Sequence, residues 1–387
     1  MDGVPTINQP EDILTHLVEH LEEAGLPLCH AAIFVSTLHP NVFGRSFHWK
    51  RGSDTWVQSA PIEIVDTEEY RQSPVLAITS KNKILRYQPQ AVDCPDDFPI
   101  LKEFRKAGIT DYYATPLYFT NGETHCVTWG TDHPNGFNDA QISALNELCA
   151  PLARIAEIFA LKRVARNLLD TYLGEQSGQQ VLDGRIRRGD GEKTLAVIWF
   201  CDLRDSTPLS ESMPLNEYFE TINEFFEQLA GAVLDHNGEV LRFIGDAVLA
   251  IFPIREGNLT YEKKQRKISE ACNNAINAAQ QATMGMEKVN VQRSRNNLVE
   301  LGYGIGLHLG DVMYGNVGTR NRLEFSVIGA AANTAARIEG CCKRLKKNIL
   351  FSNSVANHIK AEQQSLGHYE IQGVKKKLEL FTLANPK

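Results

Sequence analysis

The spacing of apolar and polar positions divides the chain into stretches of different period. Residues 11–24 place Ile13, Leu14, Leu17, Val18 and Leu21 on one helical stripe, which Gly25 and Pro27 end. Apolar runs at 31–38, 110–119 and 125–131 are broken by turn residues and read as strands. Asn121-Gly122, between the last two, predicts a hairpin turn. Asn138-Asp139 opens a long helix. Within it Leu145, Leu148, Leu152, Ile155 and Phe159 recur at 3-4-3-4 spacing, and Leu161, Val164 and Leu168 resume the repeat after a two-residue slip. Such a seam either packs on its own domain or pairs with a copy of itself.

Residues 175–193, EQSGQQVLDGRIRRGDGEK, are rich in glycine and charge and lack periodicity, so they read as a linker. The texture then changes. Strands are expected at 195–200, 239–243, 248–252, 301–309 and 348–351, and helices at 215–236, 261–289 and 333–346. The order β-α-β-β-α-β fits a ferredoxin-like core. The expected organisation is α+β, with a first domain at 1–160, a helical connector at 161–193 and a second domain at 194–387.

Composition narrows the function. With 40 Lys plus Arg against 47 Asp plus Glu, the 387-residue chain carries a net charge of −7. That argues against a general nucleic-acid binder, but leaves room for a local basic pocket that holds a small anion. No apolar run approaches the ~18 residues of a membrane span, and MDGVPTINQPED has no signal-peptide core. A cytoplasmic location follows as the expectation. The eight cysteines form no CxxC and no zinc-like spacing, so they are expected to be reduced thiols.

Three segments carry candidate chemistry. In Phe200-Cys201-Asp202-Leu203-Arg204-Asp205-Ser206-Thr207, an apolar strand ends in an aspartate and runs into a polar loop. In Glu239–Val248, two strands meet at Gly245-Asp246. Two carboxylates at neighbouring strand ends make a hard oxygen site for Mg²⁺ or Mn²⁺, although each alone reads equally as a turn cap. The third segment, RLEFSVIGAAANTAARIE from Arg322 to Glu339, is a strand, a glycine turn and a helix. Asn333 and Arg337 stand one turn apart on that helix, where they could clamp a ribose or a phosphate. Gly302, Gly304 and Gly306 mark a strand face under close packing. No GxxxxGK is present, which excludes a P-loop.

Together F-x-D-L, V-L-x-F-I-G-D and S-V-I-G-x-x-x-N-x-A-A-R-I-E resemble the class III nucleotidyl cyclase catalytic domain of adenylyl and guanylyl cyclases, over residues 194–387. The resemblance implies that Asp202 and Asp246, with the Leu203 carbonyl, hold two divalent metals, Mg²⁺ or Mn²⁺. Backbone N–H groups of the 203–207 turn, including Ser206 and Thr207, would cradle phosphate oxygens. Arg337 would stabilise charge at the α-phosphate and Asn333 would orient the ribose. Lys375, within Val374-Lys375-Lys376-Lys377, would touch the triphosphate. The family's purine selectors map to Arg242 and Ser326. A cationic donor and a hydroxyl acceptor suit N1 and N6–H of adenine, so ATP is the expected substrate and cyclic AMP the product. GTP or another nucleotide, and a catalytically dead binding or dimerisation module, are the alternatives. Asp205 stands where the family commonly has Gly, and Ala330 where it often has Asp. In this family the metal aspartates and the selector, Asn and Arg groups of one site come from different subunits, which implies a homodimer.

Residues 110–159 resemble the second half of a GAF domain, through Asp111-Tyr-Tyr-Ala-Thr-Pro-Leu-Tyr, Asn121-Gly122 and Pro134-Asn-Gly-Phe-Asn-Asp139. The resemblance implies a regulatory domain that takes a small-molecule or protein signal. His39, His48, Trp49, His125 and Cys126 could line its pocket or bind a haem or metal, but each is expected first as an ordinary turn or core residue.

Overall fold

The computed structural model describes residues 9–255, 260–374 and 376–384. The chain forms two compact units, divided between Tyr172 and Leu173. Among the described residues no helix is long and apolar enough to cross a membrane.

The first unit contains α1 (Pro10–Glu23), β1 (His30–Ser36), β2 (Val42–Lys50), β3 (Trp56–Pro61), α2 (Glu68–Arg71), α3 (Pro74–Lys81) and β4 (Leu85–Tyr87). α4 (Ile100–Lys106), β5 (Asp111–Tyr118), β6 (Thr124–Thr131) and α5 (Asp139–Leu173) complete it. The strands form one antiparallel sheet in the order β3-β2-β1-β6-β5-β4. Leu14 and Val18 of α1 and Leu145 and Leu152 of α5 share a core with Trp49 and Trp129 of the sheet. Ile78 of α3 and Leu101 of α4 share a separate core with Tyr112 and Cys126. Asp111 is fully buried and accepts from Arg86 Nη2 at 2.7 Å and from the Phe137 N–H at 3.0 Å. It thereby ties the start of β5 to the loop that enters α5.

Strand alternation places His48 and Cys126 on one face of the sheet and Trp49 and His125 on the other. Cys126 joins the α3/α4 core and Trp49 the α1/α5 core. His48 stacks on Trp56 at 5.1 Å, whereas His125 lies 4.0 Å from the Phe119 ring. His39 Nδ1 only accepts from the Asn41 N–H at 3.0 Å. The five do not converge on one pocket. Among the described residues no group of three or more His, Cys, Asp or Glu is placed to hold a metal.

The expected seam of α5 divides into a buried half and an exposed half. Leu145 and Leu152 are buried in their own unit, so that half of the repeat is intramolecular. Exposed apolar residues lie further along, at Ile158, Leu161, Leu168 and Tyr172. With Ala165 they give 3-4-3-4 spacing, a narrow stripe of coiled-coil type.

The second unit begins with α6 (Glu175–Leu182), where a linker was expected. Its Ser177 hydroxyl is buried 2.9 Å from the Tyr314 hydroxyl, which donates to Glu239 at 2.5 Å. Polar contacts rather than an apolar stripe hold this helix, which is why periodicity missed it. β7 (Gly191–Leu203), α7 (Ser206–Ser212), α8 (Leu215–Asp235), β8 (Glu239–Ile244), β9 (Ala247–Ile254), α9 (Tyr261–Arg295) and β10 (Tyr303–Gly318) follow. Then come β11 (Leu323–Ile328), α10 (Ala330–Leu345), β12 (Ile349–Ser352), α11 (Asn353–Ala356), β13 (Gln363–Tyr369) and β14 (Leu378–Leu383).

The sheet order is β13-β14-β12-β10-β7-β9-β8, with β11 paired to β10. The segment β10-β7-β9-β8 is antiparallel throughout. In chain order its strands lie fourth, first, third, second, the arrangement of a ferredoxin-like sheet with α8 and α9 as its crossovers. Phe225 and Leu229 of α8 and Ala275 and Ala279 of α9 bury one face of β7 and β9, together with Val197, Trp199 and Cys201. α10 packs on β10 where Gly306 stands. A Cβ there would lie 2.4 Å from the Ala335 carbonyl oxygen, so only glycine admits the helix this closely.

Candidate active site

Two facts of local folding place the carboxylates. β7 alternates, so Asp202 shares the face of Ala196, Ile198 and Phe200 rather than the helix-covered face of Trp199 and Cys201. β8 and β9 are joined by a two-residue turn in which Gly245 takes φ +63°, a left-handed conformation that suits glycine. The β7–β9 register pairs Asp202 with Ala247, so Asp246 at the turn is its neighbour. Burial, then the Asp246 charge and a hydrogen bond with Asp246, push the Asp202 carboxyl up to about 6. Glu339 of α10 joins this cluster, and its carboxyl is pushed up to about 7 by burial and then by Asp202. Arg204 offsets part of that rise, and its Nη2 donates to the Lys347 carbonyl at 2.7 Å.

Asp202, Leu203, Ser206, Thr207 and Asp246 line one cleft of about 440 Å³, with Glu339 and Lys343 on its α10 side. Asp205, in the turn after β7, adopts φ +55° and pairs with Lys343 Nζ at 2.6 Å. The site fits hard divalent cations. Two carboxylates face each other at a cost that a cation would relieve, and a backbone carbonyl lies between them in sequence.

A second cleft of about 510 Å³ holds Arg242, Ser326 and Asn333. Its walls include Phe200, Leu249, Val327 and Ala332, apolar surfaces against which a flat ring can lie. Ser326 is 4% exposed, and Asn333 projects from the first turn of α10. Arg337, one turn further on, lines neither cleft; its Nη1 donates to the Gln372 carbonyl. Lys375 lies outside the described residues. The structure therefore brings most of the sequence candidates together in two groups on one unit, Asp202, Leu203, Ser206, Thr207 and Asp246 in one and Arg242, Ser326 and Asn333 in the other, while Arg337 joins neither.

Glu324, Glu339 and Lys343, to which the sequence motifs assign no role, also line these clefts. The period-two rule offered a signal for Glu324, which lies two residues from Ser326 on the same face of β11. The helical period offered one for Lys343, one turn beyond Glu339.

The description "Adenylate and Guanylate cyclase catalytic domain" matches residues 192–385. An adenylate cyclase of Anabaena cylindrica is 33% identical over 178 residues, covering 45% of this chain and 32% of that protein. The chain thus spans about a third of that relative's length. The adenylyl cyclase CyaB from P. aeruginosa is 19% identical, with 51% of this chain and 97% of that chain covered and a TM-score of 0.42. The guanylate cyclase domain of RhGC from Catenaria anguillulae, in complex with GTP, is 19% identical, with 51% and 100% covered and a TM-score of 0.39. By the match over half its length, carried by the segments that build both clefts, the chain belongs to the adenylate and guanylate cyclase catalytic domain family.

Proposed function

We propose that the protein is an adenylate cyclase, converting ATP to 3′,5′-cyclic AMP and pyrophosphate as a homodimer with shared active sites. The observation that carries this reading is the partition of the candidate groups. The carboxylate cleft and the base cleft of one unit are lined by different residues, and each holds what the other lacks. A twofold pairing that sets the carboxylate cleft of one protomer against the base cleft of its partner completes two equivalent sites.

In such a site Asp202, Asp246 and the Leu203 carbonyl hold two divalent ions, Mg²⁺ or Mn²⁺. When bound, these ions lower the pKa of the ribose 3′-OH and offset charge on the pyrophosphate leaving group. The 3′-oxygen would attack the α-phosphorus as its proton passes to solvent water, the new P–O bond forming as the bond to pyrophosphate breaks. Backbone N–H groups of the Ser206–Thr207 turn cradle phosphate oxygens. Asn333 orients the ribose, and Arg337, once released from Gln372, offsets charge at the α-phosphate. Lys375 is assigned to the triphosphate from the family resemblance alone. Arg242 and Ser326 read the base, the guanidinium donating to adenine N1 and the hydroxyl accepting from N6–H. The name of the Anabaena relative supports ATP over GTP. The first unit is assigned as a GAF-like regulatory domain, and the exposed stripe of α5 as the contact that pairs two chains.

The test is purified full-length chain with Mn²⁺ and each of the four nucleoside triphosphates, products resolved by mass spectrometry. Cyclic AMP from ATP is expected. Cyclic GMP as the main product would overturn the base assignment, and no cyclic product from any nucleotide would overturn the enzyme assignment.

A further inference from the structure

Arg242 does not enter the base cleft as a free cation. Its Nη2 is held by the carboxylate of Glu324, which lines the same cleft from β11. Its Nε is buried and has no hydrogen-bond partner. A guanidinium is planar, so fixing one edge fixes the direction of the donors on the other. The carboxylate also cancels the charge at this end of the cleft, which suits a neutral base. Glu324 and Ser326 are two residues apart in β11 and share a face, so the carboxylate and the hydroxyl stand side by side along the strand.

We propose that Glu324 is a third base-selecting residue, acting through Arg242 as a positioning residue. With its Oε2 engaged by the guanidinium, the carboxylate is not free to accept from both N1–H and N2–H of guanine. The guanidinium donors on the edge away from Glu324 are then set toward an acceptor, which adenine N1 supplies and guanine N1–H does not. This inference rests on the reading of the cleft as the purine half of a cyclase site. It adds that the adenine preference depends on a residue outside the two selector positions.

Selectivity can be read without turnover. Binding of 3′-deoxy-ATP and 3′-deoxy-GTP, which lack the attacking hydroxyl, is measured by calorimetry on the full chain and on Glu324→Gln, Glu324→Ala and Glu324→Asp. The kcat/KM ratio for ATP over GTP is measured beside it. Glu324→Gln and Glu324→Ala should lower the adenine-over-guanine ratio about tenfold, the effect of one misplaced charged hydrogen bond. Glu324→Asp should restore part of it. A purely structural role would weaken both nucleotides equally, and equal weakening or an unchanged ratio overturns the inference. Wild-type chain that prefers guanine in both assays instead overturns the ATP reading on which the inference rests.

Discussion

Lys343 Nζ stands 2.6 Å from a carboxylate oxygen of Asp205, linking α10 to the turn that follows β7. Asp205 occupies a left-handed backbone position, φ +55°, at which the cyclase family commonly has glycine. In the proposed site the lysine would offset a carboxylate that otherwise faces the triphosphate alone. Asp205→Gly should therefore fold normally and lower the nucleotide KM. Lys343→Met should raise KM in the wild-type background and much less in Asp205→Gly. Both groups are exposed, so each change should stay within about fivefold. Steady-state kinetics on the four proteins of this cycle measure the coupling, and strictly additive effects would dissolve it.

Asp202→Asn and Asp246→Asn should each leave far-UV circular dichroism unchanged and reduce turnover by more than about a hundredfold, since metal-borne charge stabilisation amounts to several kcal/mol. Titration calorimetry should show weakened Mn²⁺ binding in both. Near-normal kcat at saturating Mn²⁺ in either variant would remove that residue from the metal site.

The same carboxylates set a pH dependence. Asp202 is pushed up to about 6 and Glu339 to about 7, chiefly by burial. Raised values mean that the native state keeps protons the unfolded chain has already released. Stability should then fall as pH rises from about 4 to about 7, the sign opposite to that of a salt-bridged carboxylate. In chelator, the melting temperature of wild-type chain should drop over this range relative to Asp202→Asn, and saturating Mn²⁺ should remove the difference. Parallel melting profiles for the two proteins would contradict the assignment.

Shared sites predict complementation. Asp246→Ala and Arg337→Ala should each be inactive, yet regain activity when mixed and allowed to exchange. Half of randomly paired dimers are mixed, and each has one intact site of two, so about one quarter of wild-type sites return. A mixture that stays inactive despite demonstrated exchange would exclude sites built between subunits.

The stripe Ile158, Leu161, Ala165, Leu168 and Tyr172 should mediate pairing. Leu161→Glu with Leu168→Glu places charge on the seam and should shift the chain toward monomer in light scattering, with turnover falling in step. A dimer that withstands both substitutions would place the contact elsewhere.

The strongly apolar strands were legible because each announces itself locally. The expected runs 195–200 and 248–252 lie inside β7 and β9, and Gly245-Asp246 sits at the turn from β8 into β9. The two cleft groups were legible as residue types but not as two clefts, because that division is set by pairing across more than a hundred residues, as between β7 and β10. α6 was illegible because Ser177 anchors it to Tyr314 by a single polar contact. Sequence left open whether the first half of the α5 repeat packs inward, because buried and exposed leucines look alike, and the sheet beneath the helix decides which is which. The Glu324–Arg242 pair joins residues far apart in the chain, and no period connects them.

The β8–β9 hairpin carries Arg242 on one strand and Asp246 at its tip, four residues away. In a dimer with shared sites these two side chains serve different reactions, one reading the base on one side while the other holds metal on the opposite side. A single hairpin is then common to both catalytic centres. Nucleotide settling against Arg242 in one site would bear on the proposed metal ligand of the other through a segment only four residues long. The two sites of such an enzyme would be expected to sense each other's occupancy, and a signal that tilts this one hairpin would reach both at once.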